Sequence, residues 1–307
     1  GISALIEVNE ISRETISAFH IGFVLGPCIN ASGRLDTAKR ALELLKTTDY
    51  EKALVKAAEL KALNDERKSM TDDGVQQALD QIENSDMKRD RVLVIYLPDC
   101  HESLAGIIAG RIRERYYRPV FVLTRSQDGV KGSGRSIETY SMFEEMSKCK
   151  ELYTKYGGHS MAAGVSMPEE HVEKFRKRLN ELCTLTEKDL TEVVRIDIAM
   201  PFSYVSERLV EELSLLEPFG KGNSKPVFAA KGVQVLETRV LGKNQNVLRL
   251  KLKDESGTTM DGIYFSDQMN EVLKTMQQKP RLAFLYYPEI NEFRGQRTLQ
   301  LRILDYC

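Results

Sequence analysis

Residues 92–97, Val-Leu-Val-Ile-Tyr-Leu, form an unbroken apolar run, and Pro119–Thr124 forms another. A strand that shows one face to water alternates apolar and polar residues, whereas an unbroken run belongs to a strand covered on both faces. Between the two runs lies a stretch of helical period with Leu104, Ile107, Ile108 and Ile112 on one side. This is a βαβ unit, and its two strands are expected to run parallel. Residues 130–137 and 162–167 add strand candidates, and Pro168–Cys183 reads as an amphipathic helix with Lys174, Lys177 and Arg178 outward. Residues 91–185 therefore read as one compact α/β domain.

The flanks have other textures. Residues 11–21 suggest a short helix, and Gly26–Leu35 a loop of small residues carrying Asn30 and Arg34. A helix follows with Ala38, Ala41, Leu42 and Leu45 on one stripe. From Asp49 to Ile82 the pattern is helical and highly charged, with a narrow apolar face. It reads as a strut about 50 Å long that Gly74 weakens or bends. Val193–Ala199 reads as a strand and Tyr204–Leu216 as a helix. After the turn-rich segment 217–223, six stretches between Val227 and Leu304 alternate at period two, with one helix-like segment at Asp267–Gln277. About five antiparallel strands and one helix suit a small closed barrel of the OB type. The fold class is α/β plus β: an α/β domain with a long connecting helix, then a small OB-like β-barrel domain.

A chain of 307 residues, 42% hydrophobic and 29% charged, has room for two or three domains. No apolar run approaches the roughly 18 residues a membrane span needs, so no membrane partner is expected. The start lacks a signal-peptide pattern and opens on Gly1 rather than Met, as a piece of a longer protein does. Five scattered cysteines without a CxxC pair suggest reduced thiols and a cytoplasmic location. Net charge is −1 overall, but residues 91–185 and 226–307 each carry +3, which allows local anion binding.

Three places gather anion-binding chemistry. In Gly132-Ser133-Gly134-Arg135-Ser136-Ile137, backbone N–H groups, a hydroxyl and a guanidinium can converge on a phosphate or carboxylate; a glycine-rich turn with a surface arginine is the plain alternative. Tyr156-Gly157-Gly158-His159 can present an imidazole where backbone approaches a ligand, or His159 is structural. His101-Glu102 opens a helix, whose N-terminus attracts anions, although Asp99 or Ser103 capping that helix explains it equally. No Asp/His set stands at metal-ligand spacing, and GxSxG, P-loop and GxGxxG patterns are absent. Anion-holding features without a catalytic engine describe a substrate-holding half.

The order of the motifs resembles the RecJ family: GPCINASGRL (26–35), LNDERK (63–68), HESLAGIIAGRIRERYYRPVFVL (101–123), KGSGRSI (131–137), KYGGHSMAAGVSM (155–167) and LEPFGKGNSKPVF (216–228). These are single-strand-specific 5′→3′ DNA exonucleases of the DHH phosphoesterase superfamily, acting in DNA repair and recombination. The resemblance implies a metal-binding DHH domain holding Mn²⁺ or Mg²⁺, whose motifs this chain lacks, so no metal is expected here. Residues 1–45 would be the tail of that domain, 46–90 the connecting helix, 91–185 the DHH-associated domain and 190–307 the OB-like domain with its helical lead-in.

By the same resemblance, Ser133, Gly134, Arg135 and Ser136 would grip the 5′-terminal phosphate or first nucleotides, with Gly157, Gly158 and His101 beside them. His159 would face the scissile phosphate as the catalytic candidate, and Asn30 and Arg34 would line a domain seam. Cys28 stands where relatives often carry arginine, and Cys100 where they often carry tryptophan. In the barrel, Tyr264, Phe265, Tyr286, Tyr287 and Phe293 are stacking candidates beside Arg249, Lys251, Arg294 and Arg297, with the Phe293-Arg294 loop, Arg297 and one tyrosine expected outward. The partners implied are single-stranded DNA and a helicase or single-strand-binding protein. Two rival readings stay open: another DHH phosphoesterase, cutting oligoribonucleotides or cyclic dinucleotides, and a non-catalytic nucleic-acid-binding module.

Overall fold

A computed structural model describes residues 1–242, 244–293 and 295–307; the side chains of Thr15 and Phe293 also fall outside the description. The chain divides into two compact units, Gly1–Glu192 and Val193–Cys307.

The first unit opens with α1 (Ile2–Val8), the single turn α2 (Ala18–His20), α3 (Gly26–Leu35) and α4 (Lys39–Lys46). The small-residue stretch expected to be a loop is thus the helix α3. Pro27 in its first turn starts it, and buried Cys28, Ala31 and Ser32 let it pack closely on the long helix α5 (Tyr50–Glu83). The Asp49 carboxylate caps α5 by accepting the Lys52 N–H at 3.2 Å. Far from being a bare strut, α5 buries Ala53, Ala57 and Leu60 in one core and Ala78, Leu79 and Ile82 in the next. It runs unbroken through Gly74, where a Cβ would lie 2.5 Å from Ile108 Cδ1. The glycine therefore serves a close helix crossing.

Five strands follow: β1 (Leu93–Tyr96), β2 (Val120–Ser126), β3 (Gly129–Arg135), β4 (Lys155–His159) and β5 (Ala162–Met167). They lie in the order β1-β2-β3-β5-β4, with β1 and β2 parallel as expected and the rest antiparallel. Helix α6 (Ala105–Tyr116) is the crossover, and with α5 it covers the front of β1 and β2. Helices α7 (Met142–Ser147) and α8 (Val172–Leu182) lie behind, where Met142 and Phe175 meet Phe121, Leu123 and Val165. The glycine-rich stretch 155–159, to which the sequence reading gave no secondary structure, is the edge strand β4.

In the second unit the strand expected at Val193–Ala199 shrinks to β6 (Ile198–Ala199), and the helix expected at Tyr204–Leu216 is α9 (Glu207–Ser214). Strands β7 (Phe228–Leu241), β8 (Val247–Lys253), β9 (Thr259–Phe265), β10 (Leu282–Phe293) and β11 (Gln296–Tyr306) pair in the circuit β7-β8-β9-β11-β10-β7, with α10 (Met269–Gln278) between β9 and β10. The circuit closes because the long β7 pairs with β10 through its first half and with β8 through its second. The β11–β9 pairing is parallel, not antiparallel as expected. Buried Asp254 secures the turn before β9, accepting from the Phe202 N–H at 2.7 Å and the Thr258 N–H at 3.1 Å. No helix is long and apolar enough among the described residues to cross a membrane.

Candidate nucleic-acid interface

Strand register decides what the glycine-rich motifs do. Residues directly opposite on neighbouring strands share a face. Across β3, β5 and β4 the register sets Lys131, Ser166 and Lys155 in one row, Ser133, Gly164 and Gly157 in the next, and Arg135, Ala162 and His159 in the third. All nine lie on the front of the sheet. One edge carries Lys131, Ser133 and Arg135, the other Lys155 and His159, and the floor between is almost side-chain free. The two edges stand about 10 Å apart, two strand spacings. A groove of about 340 Å³ follows this floor, lined by Lys131, Ser133, Lys155, Gly164 and Ser166, with Glu102 and Ser103 at its side. The Glu102 carboxylate pairs with Lys131 at 3.0 Å.

The glycines divide by face. A Cβ on Gly157 would meet nothing within 4 Å, and one on Gly164 only the Gly132 carbonyl oxygen at 3.8 Å. Those two keep the floor low. On the back of the sheet a Cβ on Gly132 would lie 2.2 Å from Leu123 Cδ2, and one on Gly134 2.4 Å from Met142 Sδ. Those two allow the core to close. At Gly158, φ is +155° and a Cβ would lie 2.4 Å from the Ala162 carbonyl oxygen, so this glycine permits the hairpin.

Arg135 crosses the helix rather than reaching outward. Its Nη2 lies 2.6 Å from where a Cβ of Gly106 on α6 would stand, and its Nη1 donates to the Gly134 carbonyl at 2.7 Å. Burial, and then the charge of Arg34, hold its pKa below the usual arginine value. Arg34 is itself exposed, and its Nη1 donates to the Ser103 carbonyl at 2.8 Å. Two guanidiniums thus reach the start of α6 with only carbonyl oxygens as partners among the described residues, an arrangement that favours a bound anion.

His159 is exposed at the β4 tip, where its Nδ1 accepts the Met161 N–H at 3.3 Å. In the neutral ring that bond leaves the proton on Nε2, so the imidazole offers a donor outward. The hairpin is tied down by the Ser136 N–H donating to the Met161 carbonyl and the Met142 N–H to the Ser160 carbonyl, each at 2.9 Å. Ser136 itself is buried, its hydroxyl donating to the Tyr140 carbonyl at 2.6 Å. His101 caps the turn before α6: its Nδ1 accepts the Ser103 N–H at 3.3 Å. Asn30 is exposed on α3. Cys28 is fully buried, and burial raises its pKa; Cys100 is half-buried, where a Cβ on Gly74 would lie 3.7 Å from its Sγ. Sequence reasoning passed over Arg67, a half-buried guanidinium on α5 whose Nε donates to Asn64 Oδ1 at 3.1 Å. The signal available was its place beside Asn64, an amide on a largely apolar stripe.

In the second unit the expectation of an outward tyrosine among Tyr264, Tyr286 and Tyr287 is not met. Tyr286 and Tyr287 are buried, Tyr264 is half-buried, and the Tyr286 hydroxyl donates to the Met200 carbonyl at 2.6 Å. The outward aromatic of β9 is Phe265, 42% exposed, with the Arg302 guanidinium 3.8 Å above its ring. Arg249 and Lys251 are exposed on the neighbouring β8, Arg249 pairing with Asp261 at 2.9 Å. Arg297 is exposed, 4.0 Å from Glu211. The Phe293 side chain and Arg294 lie outside the described residues. Among the described residues no group of three or more His, Cys, Asp or Glu side chains is placed to hold a metal ion.

Comparison with known proteins agrees with this anatomy. Residues 89–185 match the DHHA1 domain family and residues 196–305 the RecJ OB domain family. The chain is 35% identical to the single-stranded-DNA-specific exonuclease RecJ of Escherichia coli over 317 residues, 99% of this chain and 54% of that protein. It is 33% identical to the Haemophilus influenzae protein of the same name, over 100% of this chain and 54% of that one. The crystal structure of Thermus thermophilus RecJ in complex with Mg²⁺ superposes with a TM-score of 0.82 at 26% identity, covering 99% of this chain and 46% of that one. The chain spans about half the length of these relatives. Two adjoining domain matches, identity of about one third along the whole chain and a shared fold place this chain in the RecJ family, as its DHHA1 and OB portion.

Proposed function

We propose that this chain is the strand-holding part of a single-stranded-DNA-specific 5′→3′ exonuclease. The observation that carries the reading is the open front of β3-β5-β4: a glycine and alanine floor between a Ser133/Arg135 edge and a His159/Lys155 edge. Arg135 and Ser133 take the terminal phosphate, with Arg34 beside them, and the floor admits one strand edge-on. His159 offers Nε2–H to a backbone phosphate near the end of the strand. In the second unit Phe265, backed by Arg302, offers a stacking surface next to exposed Arg249 and Lys251.

Hydrolysis belongs to a DHH domain carrying Mn²⁺ or Mg²⁺, the ions in the Thermus thermophilus RecJ complexes. Among the described residues the front face has a basic edge and an imidazole without a neighbouring carboxylate set. No residue of this chain is therefore given a ligand role. The enzyme's setting is a cytoplasmic one, with a helicase or single-strand-binding protein supplying the strand.

Fluorescence anisotropy with 5′-phosphorylated and 5′-hydroxyl single strands tests the reading. Expected are salt-sensitive binding, a preference for the phosphorylated end that Arg135→Gln removes, and no cleavage by this chain with Mn²⁺. Strand cleavage by the purified chain that survives both Arg135→Gln and His159→Ala would overturn it.

A further inference from the structure

Where α3, α5, α6 and β3 meet, four arginines have one ion-paired carboxylate, Asp72, among the described residues. Arg34 donates to the Ser103 carbonyl, Arg135 lies against Gly106, and Arg111 pairs with Asp72. The fourth, Arg67, has no ion-pair partner among the described residues. Its Nε is taken by the Oδ1 of Asn64, an amide only 2% exposed. Burial first, then the charges of Arg34 and of Arg111, lower its pKa. Arg34 also acts on Arg135, so the charge of Arg34, on a helix packed against α5, is felt by both Arg67 and Arg135.

Like charges gathered in a half-dry place are costly unless an anion joins them. An unpaired surface arginine would swing into water. Arg67 is instead held by a buried amide through Nε, a bond that does not use the two Nη groups, and a guanidinium's Nη pair can take two oxygens of a phosphate. Asn64 stands among the buried residues of α5, next along the stripe from Ala53, Ala57 and Leu60 and followed by Thr71, whose hydroxyl donates to the Arg67 carbonyl at 2.7 Å. The cluster lies along the start of α6, where Ser103 and Gly106 are one turn apart on one face.

We propose that Arg67 is a second phosphate-binding residue, taking an internal phosphodiester of the strand whose end Arg135 and Ser133 hold, with buried Asn64 as its positioning residue. The two contacts then differ in kind. Arg135 reads whether a terminal phosphate is present, and Arg67 reads only that a backbone continues. The proposal rests on the strand-holding reading given above, and the two are separable by experiment.

Anisotropy titrations with 5′-phosphorylated and 5′-hydroxyl oligothymidylate at several salt concentrations, on wild type, Arg67→Gln, Arg67→Lys, Asn64→Ala and Arg135→Gln, decide it. Arg67→Gln is expected to weaken both oligonucleotides alike, by about tenfold. It also lowers the slope of log affinity against log salt by about 0.7. Arg67→Lys keeps the slope while losing part of the affinity, which separates charge from folding. Asn64→Ala weakens both ligands with the slope retained. Arg67→Gln binding with wild-type affinity and slope, or losing affinity for the phosphorylated strand alone, overturns the proposal. Should Arg67→Gln behave as expected while Arg135→Gln keeps the end preference, the terminal-grip reading fails and the Arg67 site stands. Wild type that binds neither strand overturns both.

Discussion

Replacing Gly164 by valine separates the groove from the fold, because the two respond with opposite sign. Gly164 is the middle residue of the groove floor, opposite Ser133 on β3 and Gly157 on β4. A Cβ there meets only the Gly132 carbonyl oxygen, at an ordinary 3.8 Å. Valine in a strand is favoured over glycine by about 1 kcal/mol, through lower chain entropy in the unfolded state and better strand propensity. For a unit of roughly this size that raises Tm by about 2–4 °C. The same side chain stands in the path of the strand and prevents a base or sugar from reaching the floor. At about 1–3 kcal/mol per lost base contact, affinity falls by roughly 5- to 150-fold. Gly134→Ala is the matched control one strand away. Its Cβ falls 2.4 Å from Met142 Sδ and 2.7 Å from the Phe121 ring, overpacking the core at a cost of about 1–3 kcal/mol. Thermal melts followed by circular dichroism, together with anisotropy at a temperature where every variant is folded, give both readouts. Gly164→Val binding single strands like wild type, or melting as low as Gly134→Ala, would refute the assignment of this face as the interface.

Three further outcomes are expected. Arg135→Met, which keeps bulk and removes a desolvated charge pressed by Arg34, should leave Tm unchanged or higher while weakening binding of the phosphorylated strand about 10- to 100-fold; a lower Tm by calorimetry would show that the guanidinium is structural. Arg176 bonds Asp86 at 2.8 Å and holds the pKa of that carboxyl below its usual value. Its contribution is complete above the unfolded-state pKa of about 3.9 and is lost as pH falls through the lower folded value, so Asp86→Asn should flatten the decline of Tm below about pH 4. Phe265→Ala should weaken binding to long single strands about 5- to 100-fold, with little loss of stability because the ring is 42% exposed; unchanged affinity in titrations with a 20-nucleotide strand would remove the second unit's stacking surface.

Much of the architecture is legible in the residues alone. Unbroken apolar runs at 92–97 and 119–124, short and rich in β-branched residues, read as strands covered on both faces, and the period-two stretches after Val227 read as a sheet with one wet side. The same local logic misread α3 as a loop and left β4 unassigned, since small residues and glycines are compatible with helix, strand and loop until packing against α5 or pairing with β5 selects one. The seam between the motifs is also hidden in the sequence: Arg135 and His159 stand 24 residues apart and reach one face only because β5 pairs with both their strands.

By itself the sequence determined the two folding textures, the glycine-rich motifs and their resemblance to a nuclease family, because periodicity and residue type are local properties. Only the tertiary structure decided which glycines line the groove and which close the core, since a strand sends alternate residues to opposite faces and register chooses between them. It also decided that Arg34 and Arg135, distant in the chain, both reach the start of α6, and that Arg34 acts on Arg67 as well. That coupling of charges is a property of the packed fold, and no one of the three segments carries it alone.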